Sequence, residues 1–286
     1  MIWKWIKHIR LLVKKCREDN IGAFASQTAF FLLLSLIPFF MVLSSLLKYT
    51  YVSEATLMRY VNGLVPEYIA PFVISIIHEV YNKSVGIVSI TAIAGIWSAA
   101  KGIQHMAAGF NMIYGVNETR NLFVRRFWAV VYTLVFMASI VAALVLLVFG
   151  NSIQGVLSGY LPILAQATEA LFRLRGLIML LGLSFVFTIL FKTLPNNKAI
   201  TGHKLTLKNQ FPGAVLCAVF WYFISAGISV YLEYFNGFSM YGSLATIVLV
   251  MLWLYFGMYV MLFCAQINKM FGDKISRKMN LRKMIG

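Results

Sequence analysis

The sequence predicts an all-α membrane protein, a six-transmembrane-helix bundle with both termini in the cytosol and an amphipathic interfacial helix at its N-terminus. Three observations predict it. First, 60% of the 286 residues are hydrophobic and 12% charged, against about 45–50% and about 25% in a soluble domain. A water-soluble fold of this length has no surface left for so much apolar side chain. Second, the apolar residues form long uncharged runs, such as Ile21 to Leu47 and Asn209 to Leu232. Third, the charges fall in blocks between those runs, which is how a membrane chain reports its orientation.

Taken in order, residues 1–23 form a basic tail, 24–267 the six-span membrane domain, and 268–286 a second basic tail. In the first tail Ile2, Trp5, Ile6, Ile9, Leu12 and Val13 recur at helical spacing between Lys4, Lys7, Lys14 and Lys15. Such a helix lies in the membrane interface, its cations toward anionic headgroups; the alternative is a solvated tail. About 20 residues are needed to cross the hydrocarbon, and turn signals place spans at 24–48, 84–104, 127–149, 174–192, 211–234 and 243–267. Continuous apolar runs, not alternating ones, exclude a β-barrel plan. The uncharged stretch 127–168 could hold two spans, but Asn151, Gln154, Gly155, Pro162 and Gln166 read as a segment lying at the outer surface. Pro212 suits the first turn of the fifth helix. The two halves show no internal repeat.

Orientation accounts for the net charge of +16. With six spans, nineteen of the twenty-five Lys/Arg fall inside: six in each tail, Arg120, Arg125 and Arg126, and Lys192, Lys198, Lys204 and Lys208. Lys48, Arg59, Lys83, Arg173 and Arg175 fall outside, and Lys101, in the second span, is the remaining one. The expected partners are therefore anionic lipid headgroups at the cytosolic face and not nucleic acid, with a homo-oligomer left open. Cys16, Cys217 and Cys264 lie in or toward the cytosolic half, so no disulfide framework is expected. This pattern places both tails on the cytosolic side of the membrane.

Polar groups are costly in lipid, so they are the first functional candidates. Gln27 and Ser35 lie on the first span, where Pro38 removes a backbone donor. Trp97, Lys101, Gln104 and His105 share one face of the second span, expected to turn inward with Gln27 and Ser35; Lys101 could instead snorkel to the headgroups. Ser225, Ser229 and Glu233 make an i, i+4, i+8 stripe on the fifth span. Asn236, Tyr241 and Ser243 follow in a short hairpin, expected to line an external pocket with Glu233. Gln266 closes the sixth span. Each could equally glue helices or anchor them at the interface.

No catalytic constellation accompanies them. His8, His78, His105 and His203 are isolated, without metal-ligand spacing. No nucleophile elbow, Walker A or dinucleotide fingerprint stands in a suitable context. Neither an enzyme, a cofactor nor a metal site is expected, nor an ATP-driven pump from this chain alone.

The run Ala23-Phe24-Ala25-Ser26-Gln27-Thr28 through Ser35-Leu36-Ile37-Pro38 resembles the first span of the YihY/virulence factor BrkB family. So do Ile96-Trp97-Ser98-Ala99, Asn111-Met112-Ile113-Tyr114-Gly115 to Arg120, Phe211-Pro212-Gly213-Ala214, and Tyr241-Gly242-Ser243-Leu244-Ala245 leading into Leu252-Trp253-Leu254-Tyr255. The resemblance covers roughly residues 20–270. It implies a six-span inner-membrane protein, with transport of lipids or envelope precursors the usual suggestion. Some members carry a ribonuclease BN label, which these residues do not support. Where the family often has a glutamate near the end of the last span, this chain has Gln266. A transporter or lipid-translocating protein is the leading reading; a non-transporting envelope scaffold or regulator is the alternative.

Overall fold

The computed structural model describes residues 2–48, 85–135, 175–197, 199–200, 205–234 and 242–285, with 54–55, 58–59, 74–75 and 77–78. Among these residues the secondary structure is helical, with no strand. The elements are α1 (Ile2–Glu18), α2 (Ile21–Lys48), α3 (Val85–Tyr114), α4 (residues 122–135), α5 (Arg175–Thr193), α6 (Leu207–Tyr234) and α7 (Gly242–Ile285). Helical backbone falls on five of the expected spans, and of the 127–149 span residues 127–135 are described and helical. By length and composition, Leu207–Ile228 and Ile247–Gly272 can cross a membrane, while Ile21–Leu36 and Leu180–Thr193 are shorter apolar helices. The segment 150–173 and the hairpin residues Asn236 and Tyr241 lie outside the described residues, as do the side chains of Ser229, Glu233 and Ser243.

Local chemistry sets the helix ends. Asn20 adopts φ 51° and closes α1, its N–H donating to the Arg17 carbonyl. Its own carbonyl then accepts from Ala23 and Phe24, so α2 begins at once. α3 ends in a Schellman turn: Gly115, at φ 66°, donates to Met112 O, and Val116 donates to Asn111 O. Thr206 caps α6 by accepting from Asn209 N at 3.3 Å. That start corrects the expectation for Pro212, which lies in the second turn of a helix beginning at Leu207.

α2 and α3 pack with unusually close backbones. A Cβ on Gly95 would stand 2.1 Å from Pro38 Cβ, one on Gly102 3.2 Å from Thr28 O, and one on Gly109 3.0 Å from Phe24 Cβ. These glycines recur every seven residues and form a small-residue seam, the device that lets helices associate where lipid removes the hydrophobic drive. α7 lies against α2, α3 and α6, and α5 against α6. The core gathers Phe110, Phe187, Phe191, Ala218, Met258 and Leu262 with the buried thiols Cys16, Cys217 and Cys264. Among the described side chains of α1, Leu12 and Cys16 pack against the core, while Ile6, Ile9 and Val13 stay exposed.

Candidate functional site

At the end of the bundle where α2 begins, five other helix ends converge, and their backbone groups need partners. Asn268 of α7 supplies them for α6. Its Oδ1 accepts from Gly213 N at 3.0 Å; its Nδ2 donates to Gln210 O and Gln210 Oε1, both at 3.0 Å. Gly213 follows Pro212, so Asn268 takes up a backbone donor next to the proline. A Cβ on Gly213 would stand 2.4 Å from Asn268 Oδ1, so only glycine admits that amide. Tyr114 extends the chain, donating its hydroxyl to Gln210 Oε1 at 3.0 Å. Lys269 Nζ donates to the carbonyl of Ile113 at the end of α3.

A second network ties the α3–α4 link to the end of α5. Arg120 grips Glu118 through two bonds of 2.7 Å, and Asn111 Nδ2 donates to Glu118 Oε2 at 2.8 Å. Asn196 donates its backbone N–H to Asn111 Oδ1 at 2.8 Å and its amide to Thr119 Oγ1 at 2.9 Å. The Arg120 guanidinium holds the Glu118 carboxyl below its ordinary value, and Asn111 adds to that.

Next to these satisfied networks lies an unsatisfied one. Gln266 is fully enclosed, and neither Oε1 nor Nε2 has a hydrogen-bond partner. Asp19 Oδ2, buried at the α1–α2 junction, has none either. The two side chains are neighbours without reaching hydrogen-bond geometry. Burial raises the Asp19 carboxyl above its ordinary value, against the pull of Lys269 and Lys15. Burial likewise pushes the Cys16 thiol up to about 11, so it stays protonated at neutral pH. An open cleft of about 800 Å³ runs beside this junction, between α1 and the α2–α7 pair, with Cys16, Asn20, Gly22 and Tyr259 in its wall.

Ser35 is buried, as expected for an inward group, but its hydroxyl donates to Leu32 O of its own helix at 2.7 Å. The inward expectation fails for Gln27, Trp97 and Lys101, which are exposed on the bundle's outer surface. Helix geometry explains the miss. The glycine seam and Ala99 turn into α2, and that phase carries Trp97 and Lys101 outward. They are still organised: the Arg126 guanidinium sits 3.8 Å from the Trp97 ring centroid and donates to Trp97 O at 2.8 Å and Gln104 Oε1 at 3.0 Å. Lys101 Nζ lies 5.0 Å from the Phe31 ring centroid, on which His105 also stacks at 5.2 Å. Gln104 and His105 are half-buried. On α6, Ser225 accepts from Trp253 Nε1 at 3.0 Å and so joins α6 to α7.

Of the expected site residues, therefore, Trp97, Gln104, Lys101 and His105 come together on α3, and Gln266 stands apart from them. The polar residues that meet most densely (Asn111, Glu118, Arg120, Asn196, Gln210 and Asn268) were not among those expected. Apart from the place of Asn111 and Arg120 in the family resemblance, their sequence signal was clustering of amides and charges just beyond the apolar runs, which also describes ordinary loops.

The sequence profile of the virulence factor BrkB family matches residues 12–283. The ribonuclease-like protein YfkH of Bacillus subtilis is 29% identical over 246 residues, covering 85% of this chain and 87% of its own length. A UPF0761 membrane protein of Alteromonas mediterranea is 26% identical over 280 residues, 94% of this chain and 88% of its own. Another, from Haemophilus influenzae, is 25% identical over 281 residues, 92% of this chain and 94% of its own. No solved structure matches the chain. With a match spanning nearly all of its residues, and apolar helices of membrane-crossing length within it, the chain belongs to the virulence factor BrkB family of membrane proteins.

Proposed function

We propose that this protein is a six-span transporter of the cytoplasmic membrane, both termini cytosolic, that moves a lipid or envelope precursor. The observation that carries the reading is Gln266. A buried amide with both polar atoms unpaired costs about 1–3 kcal/mol, and such groups in membrane helices mark substrate or ion pathways. Together with Asp19 Oδ2 it points to a polar occupant at the cytosolic end of the bundle. In this reading residues 1–23 and 268–286 are cytosolic arms of the 24–267 membrane domain. On the outer side the path would run through Ser229, Glu233, Asn236, Tyr241 and Ser243, with no cofactor.

The alternative is an envelope scaffold. It is favoured by the other buried hydroxyls, since Thr28, Ser35, Thr133, Ser184 and Thr188 each bond a carbonyl of their own helix, as packing residues do. Gln266→Leu separates the two. If Gln266 lines a path, the variant in proteoliposomes loses at least about tenfold in translocation of a headgroup-labelled phospholipid. Its thermal stability holds or rises, because the orphan amide is gone. Full translocation by Gln266→Leu would remove Gln266 from the path, while no translocation by the unmodified protein, with unchanged complementation of a deletion strain by the variant, would leave the scaffold reading.

A further inference from the structure

The cleft beside α1 has a chemistry of its own. Arg10, Lys14 and Arg17 line it at i, i+4, i+7, so they stand on one face of α1. Ile9 and Val13 line it from the neighbouring face and are more than half exposed, at 57% and 59%. Across the cleft stand Gly22, Ala23 and Tyr259. Of the three rim cations an acidic neighbour engages Lys14 alone. Glu18 is engaged by Lys15 at 3.0 Å and Lys14 at 3.7 Å, and among the described residues no carboxylate pairs with Arg10 or Arg17. An open channel with guanidinium groups along one edge and aliphatic and aromatic side chains within suits an amphiphile with an anionic head.

Position agrees with charge. The α2 end of the wall, Asn20 to Ala23, directly precedes the expected first span, and Tyr259, within the expected last span, reaches Gly22 from α7. In that topology the cleft opens at the headgroup level with Tyr259 on its acyl side. A soluble anion would use only its rim, and an apolar helix would leave the arginines unpaired.

We propose that this cleft binds one anionic phospholipid, its phosphate held by Arg10 and Arg17 and an acyl chain laid along Ile9, Val13 and Tyr259. Guanidinium groups suit the task because they form forked, charge-assisted bonds to phosphate oxygens. Bound there, the lipid fills the gap between α1 and α2–α7 and fixes α1 against the bundle, which otherwise holds it by Leu12 and Cys16. The proposal does not rest on the transport reading, since a lipid that fastens α1 need not be cargo.

The test uses the purified full chain in nonionic detergent, titrated with dioleoyl-phosphatidylglycerol or dioleoyl-phosphatidylcholine. Bound lipid is counted by native mass spectrometry. The expected result is one retained phosphatidylglycerol, preferred over phosphatidylcholine by about tenfold. Arg10→Gln with Arg17→Gln abolishes that preference. Lys7→Gln with Lys15→Gln removes the same charge outside the cleft and leaves the preference intact. Val13→Trp fills the cleft without touching a charge or a buried contact, and displaces the lipid. Equal losses in both charge-removal variants would show only general attraction to anionic lipid and overturn the site. So would retention of phosphatidylglycerol by Val13→Trp, or equal binding of the two lipids by the unmodified protein.

Discussion

At the scale of single residues, the amides at the helix ends matter more than the polar groups within the spans. Asn268 satisfies a backbone donor and a backbone acceptor of another helix together. Asn268→Ala should therefore destabilise the protein by about 1–3 kcal/mol, the cost of leaving buried polar groups unpaired, measured by thermal melting in detergent. Asn268→Asp should fare no better, since a carboxylate cannot donate to Gln210. Glu118 makes a pH prediction. Its folded-state value lies below the ordinary 4.5, so its contribution is present above that value and lost as pH falls through the folded-state value. Acidification below about pH 4.5 should cost the unmodified protein more stability than Glu118→Gln, which has no proton to take up there. Parallel melting curves down to pH 3 for both would show that the Glu118–Arg120 pair contributes nothing.

At the scale of elements, the α2–α3 pair is the most constrained. Gly95→Ala places a methyl where Pro38 already stands, 2.1 Å away, and neither a proline ring nor a helix backbone yields cheaply. The expected outcome is a drop in melting temperature with α2 and α3 forced apart, whereas Gly86→Ala, which meets nothing within 4 Å, changes little. A cysteine cross-link between α2 and α3 that forms as readily in Gly95→Ala as in the parent would contradict the seam. Helix positions were legible from the apolar runs, because the cost of unpaired backbone in lipid forces each run to be helical. Helix rotation was not. Trp97 and Lys101 were expected inward on the cost of burying polar groups in lipid, but Gly95, Ala99 and Gly102 fix the phase. Close backbone approach outweighs the placement of one cation and one indole.

For the whole molecule, the basic tails and loops make a topology prediction. Reporter fusions within 49–83, 150–173 and 235–242 should report an external location, and fusions to both termini a cytosolic one. An external C-terminal reporter would break the even span count. α7 bears on the same question, for it runs unbroken through 44 residues to Ile285, about 66 Å at helical rise. That is roughly twice what the hydrocarbon needs. Its last turns therefore stand clear of the membrane in any topology, carrying the final cluster of Lys and Arg.

Membership of a helical membrane family followed from the sequence by itself, because hydropathy and charge placement are properties of segments and need no partner. The residues that carried the resemblance included Asn111, Tyr114, Arg120, Pro212 and Gly213, yet nothing in their spacing said what they do. Only the tertiary structure decided that. Asn268 meets Gly213 across 55 residues of chain and Arg120 meets Leu194 across 74, and such pairings depend on which helices are neighbours and at what rotation. The same holds for Gln266, which reads as one polar residue at a helix end until packing encloses it and leaves both of its polar atoms without a partner.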